Sequence, residues 1–246
     1  MWKVLAGVIA VLACTIVGNL GQAGAADMAV KSPPPPLPTP VSAWTGCYFG
    51  IEGGGNWGQT HSNSIDPTRS PGAIHSPDHD LRGGLVGDTL GCNYQVANWV
   101  VGAEGDFSWT DQRGSAGTPP PFNTTFTITE NEHWLATTRG RLGYAAGGWL
   151  VYATGGAAWA RLDLTEADSA GPTNLTQSHT MWGGVVGGGL EWMFAPRWSA
   201  KAEFLYIAFQ PANYFGLACC TLESRHLTDD IFRVGLNYQF SAGIPK

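Results

Sequence analysis

Three groups of side chains have the types and spacing that chemistry uses. The first is His75-Ser76-Pro77-Asp78-His79-Asp80, with His61 upstream. Imidazole nitrogens and carboxylate oxygens are ligands for a divalent metal or a haem iron, and His75 and His79 are the metal candidates. The segment reads as a long polar loop, which lacks the rigid outer shell that holds such ligands. The competing reading is a solvated loop, and no cofactor is expected. The second group sets His226 near Thr228, Asp229 and Asp230, and Ser178 beside His179. Neighbours on a strand face opposite ways, so neither set fixes a nucleophile, a base and an orienting third group; an enzyme is not expected. The third group is the cysteines. No C-x-x-C occurs, so zinc-ribbon and thioredoxin chemistry have no support. Cys14 falls in an N-terminal leader. Cys47 and Cys92 fall near matching ends of the first two strands, where either a cross-strand disulfide or two small apolar side chains fit. Cys219-Cys220 is either a vicinal bridge or a link to another chain.

The elements that position these residues are strands. Ile231–Phe240 alternates without a break: Phe232, Val234, Leu236, Tyr238 and Phe240 on one face, Arg233, Gly235, Asn237 and Gln239 on the other. Seven more alternating stretches precede it, giving strands at 44–58, 83–95, 99–110, 132–144, 149–162, 180–193, 198–209 and 229–240. Short turns at 95–98, 145–148 and 194–197 alternate with long polar connections at 59–82, 111–131, 163–179 and 210–228. That alternation predicts an all-β fold: an eight-stranded antiparallel up-and-down transmembrane β-barrel with four long extracellular loops, three short periplasmic turns and both termini periplasmic.

Aromatic residues supply a ruler. Trp99 and Trp109, Trp134 and Tyr144, Trp149 and Trp159, and Trp182 and Trp192 are each ten residues apart. A tilted strand crosses a bilayer in about 9–11 residues, and aromatic rings settle at its two boundaries. Trp198 and Phe240 belong to the same girdle on the last two strands. With this parity taken as outward, Glu52, Glu104, Asp106, Arg139, Arg141, Glu191, Lys201, Glu203 and Arg233 point inward. One mid-strand acid, Asp88, shares the outward parity, and a bulge near Gly87-Asp88 would turn it in.

The inward charges make a lumen network. Five acids and four bases nearly cancel, and an eight-stranded barrel is just wide enough for side chains to fill it. The set therefore reads as a paired plug; the alternative is a narrow passive conduit lined by charge. Inward glycines leave room for the long side chains.

Composition agrees with a barrel. Only 13% of residues are charged, with 34 glycines, 11 tryptophans and a net charge of −6. The negative balance argues against nucleic acid as a partner. Residues 1–25 form a signal peptide: Lys3, an apolar run from Val4 to Val17, and Ala23-Gly24-Ala25 as cleavage site. Residues 26–43 are a periplasmic linker built on Pro33-Pro34-Pro35-Pro36-Leu37-Pro38. The barrel occupies 44–240 and a periplasmic tail 241–246. The long connections and their edges carry twelve acids (Asp66, Asp78, Asp80, Asp111, Glu130, Glu132, Asp163, Glu166, Asp168, Glu223, Asp229, Asp230) against five arginines. An acidic rim suits divalent cations that bridge to anionic lipopolysaccharide.

Several segments together carry a resemblance: Trp44-Thr45-Gly46-Cys47-Tyr48, Gly102-Ala103-Glu104-Gly105-Asp106-Phe107-Ser108-Trp109, Arg139-Gly140-Arg141-Leu142-Gly143-Tyr144, Tyr152-Ala153-Thr154-Gly155-Gly156, Phe194-Ala195-Pro196-Arg197-Trp198-Ser199-Ala200-Lys201 and the closing strand. The chain resembles the small α-proteobacterial outer-membrane barrels of the porin-family or outer-membrane immunogenic type, within the OmpA-like eight-stranded superfamily. The resemblance implies an outer-membrane location, a part in envelope integrity and loops exposed as surface antigen, with outer-membrane lipid and lipopolysaccharide as surroundings. Some relatives bind haemin, so a loop-borne haemin or metal site, or a host-surface binder, is the other functional alternative. It further implies attachment of the Ala26 amine to peptidoglycan, and recognition of the C-terminal phenylalanine, Phe240, by the barrel-assembly machinery. The sequence departs from the family at Cys47 and Cys92, where relatives carry aromatics, and in the six residues after Phe240.

Overall fold

The computed structural model describes residues 44–64, 78–117, 125–171, 174–214 and 223–240. Ten strands form one antiparallel sheet that closes on itself: β1 (Gly46–Ser64), β2 (His79–Val96), β3 (Trp99–Thr110), β4 (Arg113–Gly117), β5 (Phe126–Ala146), β6 (Trp149–Asp168), β7 (Asn174–Ala195), β8 (Trp198–Phe209), β9 (Ala212–Tyr214) and β10 (Glu223–Phe240). β4 lies between β2 and β5 and continues the place of β3, while β9 pairs with β10 and continues that of β8. The ring therefore has eight positions, as the alternation predicts. β1 pairs with both β2 and β10, which leaves no open edge. The three short turns each hold one residue at positive φ: Ala97, Gly147 and Arg197.

Strands at 99–110 and 198–209 end where the sequence places them; the other six run further toward the long-loop end. Much of what reads as loop is thus strand. The reason is an inversion of polarity. Between the aromatic rows, apolar side chains face out. Beyond the row of Trp134 and Trp159, the outward residues are Thr127, Thr129, Asn131, Asp163 and Thr165, while Ile128, Leu162, Leu164 and Leu227 are buried inside. That collar is patterned like a soluble barrel, so a search for lipid-facing apolar residues passes over it.

The bulge lies elsewhere than expected. β2 pairs with β1 and β3 in unbroken register through Gly87 and Asp88, so Asp88 stays on the outer face, opposite Ile51 and Phe107. Register shifts fall instead between Met193 and Ala195 on β7 and between Glu132 and Trp134 on β5. The extra residue, His133, gives Glu132 the inward face although it shares parity with Trp134.

The interior is layered. At the short-turn end, Trp44, Val100, Ala145, Leu150 and Tyr152 make a small apolar floor. Trp44, expected to begin the first strand, precedes β1 and is buried in that floor. Charged residues fill the middle. Toward the loops lies a larger apolar core that includes Leu135, Ala160, Leu205, Ile207, Phe209 and Ile231. Two glycines make room as expected: a Cβ at Gly235 would meet Lys201 Cε at 3.2 Å, and one at Gly189 the Tyr152 hydroxyl at 2.6 Å.

Cys47 and Cys92 sit directly opposite each other on β1 and β2 and form a disulfide with an S–S distance of 2.07 Å. This settles the choice the sequence leaves open. The bridge spans 45 residues, for which loop entropy suggests about 2–4 kcal/mol. A Cys47→Ser/Cys92→Ser double variant is expected to unfold from lipid vesicles at a lower urea midpoint, and reductant is expected to bring the wild type to the same value. An unchanged midpoint would mean the bridge constrains nothing. Cys219 and Cys220 lie outside the described residues, as do the leader, the linker with Ala26, His75 and the tail 241–246.

Candidate functional site

The middle of the lumen holds all nine charged residues that the sequence turns inward, each nearly excluded from solvent. In-register neighbours supply some contacts: Glu104 lies opposite Arg139, and Arg233 opposite Glu203. The remainder reach across the lumen, which strand pairing alone cannot reveal. Arg139 donates to Glu104, to Asp106 at 2.8 Å and to Glu203 at 2.9 Å. Arg233 donates to Glu52, to Asp106 at 3.1 Å and to Glu203 at 2.7 Å. Lys201 stands opposite Glu191 on β7 but sends its amine to Glu52 at 3.0 Å and Glu104 at 3.3 Å. Arg141 takes Glu191 instead, at 2.7 Å.

Neutral groups complete the network, and the sequence reading left them out. Tyr48 donates to Glu104 and accepts from Arg141 at 2.8 Å. Tyr152 donates to Glu203 at 3.0 Å while the Arg141 guanidinium stacks 3.9 Å over its ring. Thr137 donates to Asp106, and Ser199 and Asn237 donate to Glu191. All five occupy inward positions, so parity was the signal that could have found them. The arrangement binds its carboxylates to fixed donors, with an apolar layer on either side. A charge in such a place is tolerated because it is paired.

The girdle residues Trp99, Trp109, Trp134, Tyr144, Trp149, Trp159, Trp182, Trp192, Trp198 and Phe240 all lie on the outer face. Several pack ring to ring, as Trp149 on Trp192 at 5.5 Å and Trp99 on Tyr144 at 5.6 Å.

The loop residues separate where the sequence groups them. His61 faces out and pairs with Asp78 at 2.8 Å. His79 faces in, 3.8 Å from Glu130, which also binds Arg225 and Thr60. The two histidines lie on opposite faces of the sheet and cannot share one ligand. Among the described residues no three His, Cys, Asp or Glu side chains gather as a metal site. His226 is exposed, whereas Asp229 is buried inside. The acidic rim also needs correcting: Glu130, Glu132, Glu166 and Asp229 are buried. On the collar exterior, Asp168 accepts from Thr125 Oγ1 at 2.6 Å and the Ala170 amide at 2.9 Å, and these bonds hold its carboxyl below the usual carboxylate range.

Comparisons with known proteins agree with this architecture. Residues 23–240 match the family model described as outer membrane protein beta-barrel domain. The 22 kDa outer membrane protein of Rhizobium leguminosarum bv. viciae is 26% identical over 177 residues, which is 71% of this chain and 69% of that protein. Among solved structures, the outer membrane protein OprG from Pseudomonas aeruginosa matches with a TM-score of 0.52 at 13% identity, over 80% of this chain and 97% of that one. The outer membrane protease OmpT from Escherichia coli matches at 0.50 and 11% identity, over 79% and 97%; at such identities the likeness is one of fold. With a match over nearly its whole length, on a closed antiparallel ring girdled by aromatics, this chain belongs to the outer membrane protein beta-barrel domain family.

Proposed function

We propose that the protein is a structural, surface-exposed outer-membrane barrel that supports envelope integrity, with a closed lumen and no catalysis. The observation that carries this reading is the set of four cations and five carboxylates locked together at the lumen centre, between the floor around Trp44 and the apolar core above. An ion crossing it would have to break several paired charges in a place that holds no bulk water. The long loops face the exterior, where the exposed acids of the collar suit divalent cations bridging to lipopolysaccharide. Both termini lie in the periplasm. In this reading the Ala26 amine is joined to peptidoglycan through the proline-rich linker, and Phe240 ends the strand that the assembly machinery would read.

Single-channel recording in planar bilayers tests the closed lumen: the purified barrel is expected to give no stable openings. Reproducible conductance steps would establish a narrow passive channel instead. Muropeptide digestion tests the tether, which requires a fragment covalently joined to the barrel's N-terminus.

A further inference from the structure

Two irregularities in the collar turn polar side chains toward one another inside the lumen. The bulge at His133 carries Glu132 inward, where it is 1% exposed. The break between β3 and β4 carries Gln112 inward, where it is fully buried. That break depends on a glycine on the adjoining strand: a Cβ at Gly83 would come within 2.3 Å of Gln112 Cα. Strand irregularities of this sort mark places where a side chain is re-aimed for a purpose.

The groups that meet offer more acceptors than donors. Gln112 Nε2 donates to Asp229 Oδ1 at 2.7 Å, and Asp229 is 1% exposed. Asn56, fully buried, donates to Thr110 at 3.1 Å, and its amide also bonds Asp229. After those bonds, both carboxylate oxygens of Glu132, Gln112 Oε1 and Asn56 Oδ1 have no hydrogen-bond partner. The charge that bears on Glu132 is Asp229, of the same sign. The nearby cation Arg225 is held by Glu130. Two buried carboxylates without a counter-charge are unfavourable as they stand, and two neutral amide oxygens beside them cannot relieve this. A doubly charged hard cation would. It favours oxygen ligands, matches two carboxylates in charge, and tolerates a flexible mixture of carboxylate, amide and water oxygens when it has the size of calcium.

We propose that Glu132, Asp229, Gln112 and Asn56 form a calcium site inside the loop-side collar of the barrel. The site is separate from the lumen network and does not depend on whether the lumen conducts. It pins β5 to β10 across the collar, with Gln112 and Asn56 as the neutral ligands.

The test uses the full-length barrel, refolded in detergent without lipopolysaccharide and freed of divalent ions with EDTA. Isothermal titration with calcium chloride is expected to show saturable binding of one ion, with a parallel rise in Tm. Glu132→Gln and Asp229→Asn are each expected to weaken binding at least tenfold and to reduce the Tm rise. The double variant is expected to lose both and, in EDTA, to be at least as stable as the wild type, which guards against confusing lost binding with lost folding. Asp163→Asn, on the collar exterior, is expected to bind as the wild type does. Absence of saturable binding to the wild type would overturn the proposal, as would a calcium response that survives in the double variant. So would a pH-dependent Tm that the double variant abolishes while calcium has no effect, because the pair would then hold a proton.

Discussion

Replacing Arg233 with methionine is expected to lower the stability of the folded barrel by at least about 3–5 kcal/mol, the usual penalty for breaking a buried ion pair from one side. The guanidinium is fully buried and serves Glu52, Asp106 and Glu203 at once. Its loss leaves those carboxylates with Lys201 and Arg139 as their counter-charges. Urea titration of the barrel in lipid vesicles, followed by tryptophan fluorescence, measures the effect. Adding Asp106→Asn to the same variant removes one surplus negative charge and is expected to restore part of the loss. A single variant within about 0.5 kcal/mol of the wild type, the range of ordinary surface substitutions, would show that the network is not balanced around this residue.

The next residue along β10 gives the second large effect, for the opposite reason. Val234 is 53% exposed and lies opposite Gly53 and Ala202, well within the span. Val234→Arg places a charge against lipid near mid-depth and is expected to cost about 2–4 kcal/mol. Val234→Leu is expected to be close to neutral. The pair of tests reads the two faces of one strand: removing a cation harms at 233, adding one harms at 234. If Val234→Arg were harmless in vesicles, the outer face of β10 would not meet lipid.

The membrane-spanning part of the fold was legible because lipid imposes a pattern. The ten-residue spacing from Trp99 to Trp109 and from Trp149 to Trp159 marks the crossing length, and the parity of Glu104, Arg139 and Arg233 marks the inside. The collar was not legible. Leu162, Leu164 and Leu227 alternate with polar neighbours, but with apolar side chains inward, so the rule that holds between the girdles runs backwards there. The sequence reading placed Glu130 in a solvated connection and Glu132 at its edge for the same reason. The bulge at His133 had no glycine to announce it, whereas Gly87 beside Asp88 offered one and the register ran straight through. Contacts across the lumen, such as Arg141 with Glu191, depend on how the ring closes and cannot be read from neighbouring strands.

The collar also sets a height. On β6 the strand continues nine residues past Trp159 to Asp168. At about 3.3 Å per residue and a tilt near 40°, that is roughly 20–25 Å of rigid wall standing clear of the hydrocarbon boundary. The described strand ends on this side lie at the rim of the wall rather than at the lipid surface. Whatever reaches the barrel at its long-loop end meets protein well before lipid.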